Sequence, residues 1–154
     1  MSNKMSWRYG DTNPILAPVD SATVIEIGDL LFLSSGKAKP AKDITEGENA
    51  ATTQTTFSSG FLGIAMQCSN SSDTTPIRVA TTGYFNLSAS SATFILGDKV
   101  GIAASNDGTV LSNQTVAKVS SVNYMIGRVA KTENVATTSV LVKITSVIMN
   151  GSFT

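Results

Sequence analysis

From Ser21 onward the chain reads as short apolar runs separated by turn residues, and no long stretch repeats its apolar positions at the helical period. The runs predict strands over residues 22–27, 30–33, 63–67, 77–81, 83–87, 100–103, 116–119, 125–131 and 140–147. Gly28-Asp29 closes the first run and Ser34-Ser35-Gly36 closes the second. Asn106-Asp107-Gly108 lies between two runs and predicts a hairpin, because both central positions of such a turn want positive φ. Residues 37–60 break the pattern. There Asp43-Ile44-Thr45-Glu46 resembles a helix start, and residues 48–57 predict one short helix weakened by their threonines.

Residues 1–20 do not read as part of a core. Trp7, Arg8 and Tyr9 are followed by a turn-like Gly10-Asp11-Thr12-Asn13-Pro14, and then by Ile15, Leu16 and Pro18. Proline at 14 and 18 excludes a regular helix and blocks strand pairing at those two positions. The segment is expected to be an extended arm preceding a β-barrel-like domain over residues 21–154. Large aromatics on such an arm either fold back on the chain's own barrel or anchor in a neighbour, where Trp and Tyr are typical hot spots. Burying Trp7, Tyr9, Ile15 and Leu16 does not by itself offset the entropy of ordering the segment. The arm therefore needs main-chain pairing, or several arms acting together. The expected interface residues are Trp7, Arg8, Tyr9, Asn13, Pro14, Ile15, Leu16 and Pro18.

The chain also resembles itself. Ile27-Gly28-Asp29-Leu30-Leu31-Phe32-Leu33 matches Leu96-Gly97-Asp98-Lys99-Val100-Gly101-Ile102, and Phe61-Leu62-Gly63-Ile64-Ala65-Met66 matches Met125-Ile126-Gly127-Arg128-Val129-Ala130. Ile77-Arg78-Val79 then matches Leu141-Val142-Lys143, each block lying the same distance past its glycine. Three blocks in one order predict a duplicated β unit, at about residues 22–87 and 92–148. Two such units can close a sheet on itself and remove its exposed edges. The expected fold is all-β, a small β-barrel or sandwich. Gly63 and Gly127 should sit where a strand bends or another backbone comes close.

Composition narrows the function. Hydrophobic residues make up 42% of the 154, enough for a core, while charged residues are only 14%, against about 25% in an average domain. Serine and threonine supply about a quarter of the chain. The formal net charge is zero, and the one lysine cluster (Lys37, Lys39, Lys42) is followed by Asp43, Glu46 and Glu48. No basic stripe for nucleic acid results. No apolar run reaches the ~20 residues that span a bilayer, and the first residues lack the apolar run of a signal peptide. Synthesis and action from the producing cell's cytoplasm are expected.

Catalysis has little to work with. The absence of histidine removes the usual general base and most zinc sites. Cys68, the only cysteine, has nothing nearby to activate it. Asp29 and Asp98 hold equivalent places in the two repeats. They can be read as a carboxylate pair for acid–base or metal chemistry, or as Gly-Asp turns in which the carboxylate bonds its own backbone. Recurrence in both copies favours the turn, with Gly28, Asp29, Gly97 and Asp98 as its structural residues. Asp107 lacks the alternating acids of a calcium loop, and Ser69 to Thr75 shows no nucleophile spacing. No catalytic residue, metal site or cofactor is expected.

These residues bear a likeness to a known family. Trp7 to Asp11 with Asn13-Pro14, Ser21 to Asp29, the Phe61-Leu62-Gly63-Ile64-Ala65 and Ile77-Arg78-Val79-Ala80 blocks, and the later Leu96-Gly97-Asp98, Ile126 to Ala130 and Val140-Leu141-Val142 blocks together resemble the capsid decoration, or cement, proteins of tailed bacteriophages. The resemblance implies a β-barrel-like subunit that forms a homotrimer on the outer surface of the virion. There it would bridge capsomers of the phage major capsid protein and brace the shell against packaged DNA. It carries over no catalytic residue, and it implies neither nucleic acid nor membrane as partner. A different reading is a phage tail, baseplate or host-surface carbohydrate-binding module. An enzyme with a Ser-Lys or carboxylate centre is a third, though no spacing singles one out.

Overall fold

A computed structural model describes residues 5–44, 50–104 and 110–149. The Asn106-Asp107-Gly108 turn and the Thr45-Glu46 part of the expected helix start lie outside those residues. The fold is all-β, a closed five-stranded barrel joined to a second five-stranded sheet. In chain order the strands are β1 (Trp7–Tyr9), β2 (Ile15–Ala17), β3 (Leu30–Ser34), β4 (Lys37–Pro40), β5 (Phe61–Ala65), β6 (Ile77–Ala80), β7 (Thr82–Phe94), β8 (Lys99–Ala104), β9 (Leu111–Lys118), β10 (Met125–Val129) and β11 (Glu133–Thr145). One helix, α1 (Ala50–Ser59), joins β4 to β5.

Two sets of five strands share one order, but not at the expected bounds: the first takes in β2 and ends at β6, and residues 83–87 lie in β7 of the second. The first sheet runs β2-β6-β5-β3-β4, and the second runs β7-β11-β10-β8-β9, with β1 added outside β7. Each unit therefore contributes five strands in the same order. The registers coincide as well. Leu30, Leu31 and Phe32 face Ile64, Gly63 and Phe61, just as Lys99, Val100 and Gly101 face Arg128, Gly127 and Met125, and the register shift falls at the same step in both.

The third repeat block needs a correction of one residue. Ala65 faces Val79 as Val129 faces Val142, so Ile77 takes the place of Val140 rather than of Leu141. The reason is the two-residue strand period. Ile77 and Val79 are buried, as are Val140 and Val142, whereas Leu141 is only half-buried; a one-residue slip would turn the inward set outward.

The closure of the barrel has a one-bond counterpart in the open first sheet. In the second unit β7 runs parallel to β9, with Ser88 and Ala89 facing Thr115 and Val116, and this pairing shuts the barrel. At the matching place in the first unit the backbone N–H of Ala38 donates to the carbonyl of Pro18 at 2.9 Å. The large core joins the inner side chains of the barrel, among them Phe85, Phe94, Val116 and Val142, to Leu30, Phe32, Ile64 and the helix residue Phe57. The smaller core is the first unit's own and is built from Ala17, Val19, Ile25, Leu31, Ala38, Leu62, Ala65, Ile77 and Val79.

Four further expectations change. Residues 22–27 do not form a strand, although their side chains alternate like one. The N–H groups of Ala22 and Thr23 are taken by Asp20 and that of Glu26 by the Asp29 carboxylate. Only Ile25 is left to bridge Ser69. Residues 37–60 include a strand, β4, because Ser35 and Gly36, at φ 50° and 78°, turn the chain back onto β3. Strands β7 and β11 each run for 13 residues, well past their apolar portions. The helix ends two residues later than predicted. Phe57, fully buried, anchors it between Phe32 and Phe61, and Gln54 Nε2 ties it to the Ile102 carbonyl at 2.7 Å.

Candidate interaction surface

Residues 1–20 are expected to form an extended arm whose large side chains either fold back on the barrel or anchor in a neighbour. The described part is extended, but it is stitched into both sheets. Strand β1 pairs antiparallel with β7, with Trp7 facing Phe85 and Tyr9 facing Tyr84, and Asn86 N donates to Ser6 O at 2.9 Å. Strand β2 pairs with β6, and Ala17 and Val19 enter the small core. Between them Thr81 N and Oγ1 hold the carbonyls of Thr12 and Asn13 at 2.9 and 2.8 Å. The main-chain pairing that an arm requires is thus made within the chain. Both prolines flank β2 without entering it, as their missing N–H demands.

The backbone is tied down while the large side chains are not. Trp7, Arg8 and Tyr9 are all exposed on β1, Leu16 is 63% exposed on β2, and Asn13, Pro14 and Pro18 are exposed beside it. Ile15 is half-buried. The indole Nε1 of Trp7 donates to the Gly10 carbonyl at 3.0 Å, which holds the ring over the turn. Tyr9 stacks on Tyr84 with centroids 4.5 Å apart and planes 16° from parallel, and Lys143 Nζ lies 5.9 Å from the Tyr84 centroid. Gly10 is required here. Its φ is +86°, and a Cβ would come 2.8 Å from the Tyr84 ring.

Two open grooves flank this strand. One, of roughly 190 Å³, is lined by Met5, Ser6, Trp7, Arg8 and Asn86. The other, of roughly 450 Å³, is lined by Arg8, Tyr9, Asn86, Leu141, Lys131, Glu133, Thr137 and Ser139. Lys131 and Glu133 pair at 3.5 Å across its rim, and Ser139 Oγ donates to Asn86 Oδ1 at 2.9 Å. Arg8 makes no ion pair among the described residues. The site therefore includes Tyr84, Asn86 and Lys143, which sequence reasoning did not single out. Their signal was present in the alternation of residues 83–87, where Tyr84 and Asn86 fall on the outward positions between Gly83, Phe85 and Leu87.

The two Gly-Asp turns resolve the second candidate. Asp29 Oδ2 accepts from Glu26 N at 3.0 Å, and Asp98 Oδ2 accepts from Ile95 N at 2.9 Å. Gly28 and Gly97 have φ of 96° and 93°, and their N–H groups donate to Ala65 and Val129. Each aspartate therefore closes its own turn. Beyond that their surroundings differ. Asp29 is buried and receives Gln114 Nε2 at 2.8 Å; burial raises its pKa, against the pull of that hydrogen bond. Asp98 is partly open and meets Lys118 Nζ at 2.9 Å; the Ile95 N–H bond, then Lys118, lower its pKa. Cys68 is exposed at the rim of a groove lined by Ile27, Met66, Gln67, Asp73, Thr75 and Pro76. Among the described residues no three His, Cys, Asp or Glu side chains gather to hold a metal.

No family model matches this chain, and neither a curated protein nor a solved structure matches it significantly.

Proposed function

We propose that the chain is a capsid decoration protein that binds the outside of a tailed-phage head as a homotrimer and bridges neighbouring capsomers of the major capsid protein. The observation that carries the reading is the surface of residues 7–16. A firmly paired backbone presents Trp7, Tyr9 and Leu16 to solvent on two short sheet-edge strands. Large apolar side chains held rigidly outward suit protein contact, because little entropy is lost when they are buried.

The test is attachment of the purified chain to expanded heads. Because Ala17 and Val19 are core residues, deleting residues 1–20 would damage the fold itself; point variants are required. Trp7→Ala should weaken attachment at least about 30-fold, as loss of a ~2 kcal/mol hot spot would. Unchanged attachment rejects the reading.

A second reading, a carbohydrate-binding module, is favoured by the larger groove. Tyr9 stands at its side, and Asn86, Glu133, Thr137 and Ser139 supply both donors and acceptors. Binding on a glycan array that is lost in Tyr9→Ala, with no attachment to heads, would establish it instead.

A further inference from the structure

The duplication shows what the first unit lacks. Ile15 faces Val79 as Phe85 faces Val142, and Leu16 faces Arg78 as Asn86 faces Leu141. Leu16 therefore holds the place of Asn86, and the outer edge of β2 is the counterpart of the edge of β7 on which β1 lies. In the second unit that edge is covered, with Asn86 N bonded to Ser6 O. In the first unit no described strand covers it.

The backbone directions follow from the hydrogen bonds. Arg78 O accepts from Met66 N, and Arg78 N donates to Gln67 Oε1, so both groups point away from β2. Leu16 and Arg78 are then a pair that exchanges no hydrogen bonds, and the N–H and C=O of Leu16 point away from β6. Two residues on, the Pro18 carbonyl points the same way and receives Ala38 N. On β1 the Ser6 carbonyl turns toward β7, so the next residue, Trp7, turns its N–H and C=O outward. Each edge thus offers one outward N–H and C=O beside a large exposed side chain, Trp7 at 47% and Leu16 at 63%.

We propose that β1 of one copy lies against the outer edge of β2 in the next, with Trp7 opposite Leu16, so that β1 is paired on both sides. A copy of this chain is the occupant because both edges left open by the described strands are its own: β1 uses its Ser6 side on β7 and leaves the Trp7 side open, and β2 leaves the Leu16 side open, each with an outward N–H and C=O beside a large exposed side chain. The two edges differ, so the contact is head-to-tail and closes as a ring when the rotation between copies allows it. The inference deepens the proposed trimer and rests on that part of the reading alone; attachment to heads is not involved.

Proline substitution tests each edge separately, since proline is tolerated where the lost N–H faces outward. Analytical ultracentrifugation of the full chain at tens of micromolar, on the order of the affinities of modest interfaces, should show association. Leu16→Pro and Trp7→Pro should each sediment as monomers, with melting lowered by no more than the few degrees that losing the side chain and the association would cause. Mixed together they should form a one-to-one complex and nothing larger, because one variant keeps an intact β1 edge and the other an intact β2 edge. If either proline lowers the melting temperature by more than that, Leu16→Asp or Trp7→Asp replaces it, placing a charge on the edge without altering the backbone. A monomeric parent chain, a Leu16→Pro chain that associates like the parent, or a mixture that stays monomeric overturns the proposal.

Discussion

The two β units share five strands in one order, the same register shift and the same aspartate-closed turn, yet they use that turn in opposite settings. In the first unit Asp29 is sealed beneath β9 with Gln114; in the second Asp98 looks outward to Lys118. What the copies share is what the strand–turn–strand geometry demands. What differs reflects where each copy sits, one pressed against its twin and the other facing solvent. A residue such as Asp29, which looks special when judged by burial alone, is thereby identified as a turn residue that happens to be covered.

The largest effect should come from the shared glycines. A Cβ at Gly63 would overlap the Ala80 carbonyl, and one at Gly127 would overlap the Lys143 carbonyl. Gly63 also has φ of +150°, which penalises a side chain independently of space. Gly63→Ala should cost more than about 3 kcal/mol, and Gly127→Ala about 1–3 kcal/mol, in urea denaturation. Equal, small losses would break the claim that both positions are close backbone approaches.

The next contrast is Gln114 against Lys118. Gln114→Leu leaves the buried Asp29 carboxylate without its side-chain donor and should cost about 1–3 kcal/mol. Lys118→Met removes an exposed ion pair and should cost no more than about 1 kcal/mol. A reversed order would mean that the two settings have been misjudged.

The pH dependences should run in opposite directions. The folded pKa of Asp29 is raised above 3.8, so its contribution is full below that pH and is lost as pH rises through the folded pKa. The folded pKa of Asp98 is lowered, so its contribution is present above 3.8 and is lost as pH falls through the folded pKa. Denaturation from about pH 3 to pH 8 should show Asp29→Asn removing a decline on the alkaline side of 3.8 and Asp98→Asn removing one on the acid side. Parallel profiles for the two variants would contradict the assignment.

The smallest stability effect belongs to the outer strand, where the units differ most plainly, β7 being covered by β1 and β2 by no described strand. Trp7 is 47% exposed, so Trp7→Ala should lower the melting temperature by only a few degrees, equivalent to about 1 kcal/mol or less. A much larger drop would make the ring part of the subunit's own core.

Much of this was legible in the sequence, and the failures have physical causes. The Gly-Asp turns and strands β3, β5, β6, β8 and β10 could be read because an apolar run met a turn residue that only one backbone shape satisfies. Strand β4, Lys-Ala-Lys-Pro, has no strand composition; it forms because a positive-φ turn delivers it to β3. The outer halves of β7 and β11 are mostly Ser, Thr and Ala, and apart from the buried Ala89 and Phe94 they are held by pairing with each other rather than by burial. Residues 22–27 alternate correctly but spend their N–H groups on two aspartates. At the interaction surface the sequence showed which side chains are large and lack a core. It did not show that their backbone is paired in the chain's own sheets, since long-range pairing leaves no local signal in three-residue strands.

The most direct test of the proposed role is quantitative mass spectrometry of purified phage particles from the source, reading the molar ratio of this chain to the major capsid protein. The account predicts a ratio near one, or one fixed by the three-fold positions of the shell. A handful of copies per particle, or none, would contradict it.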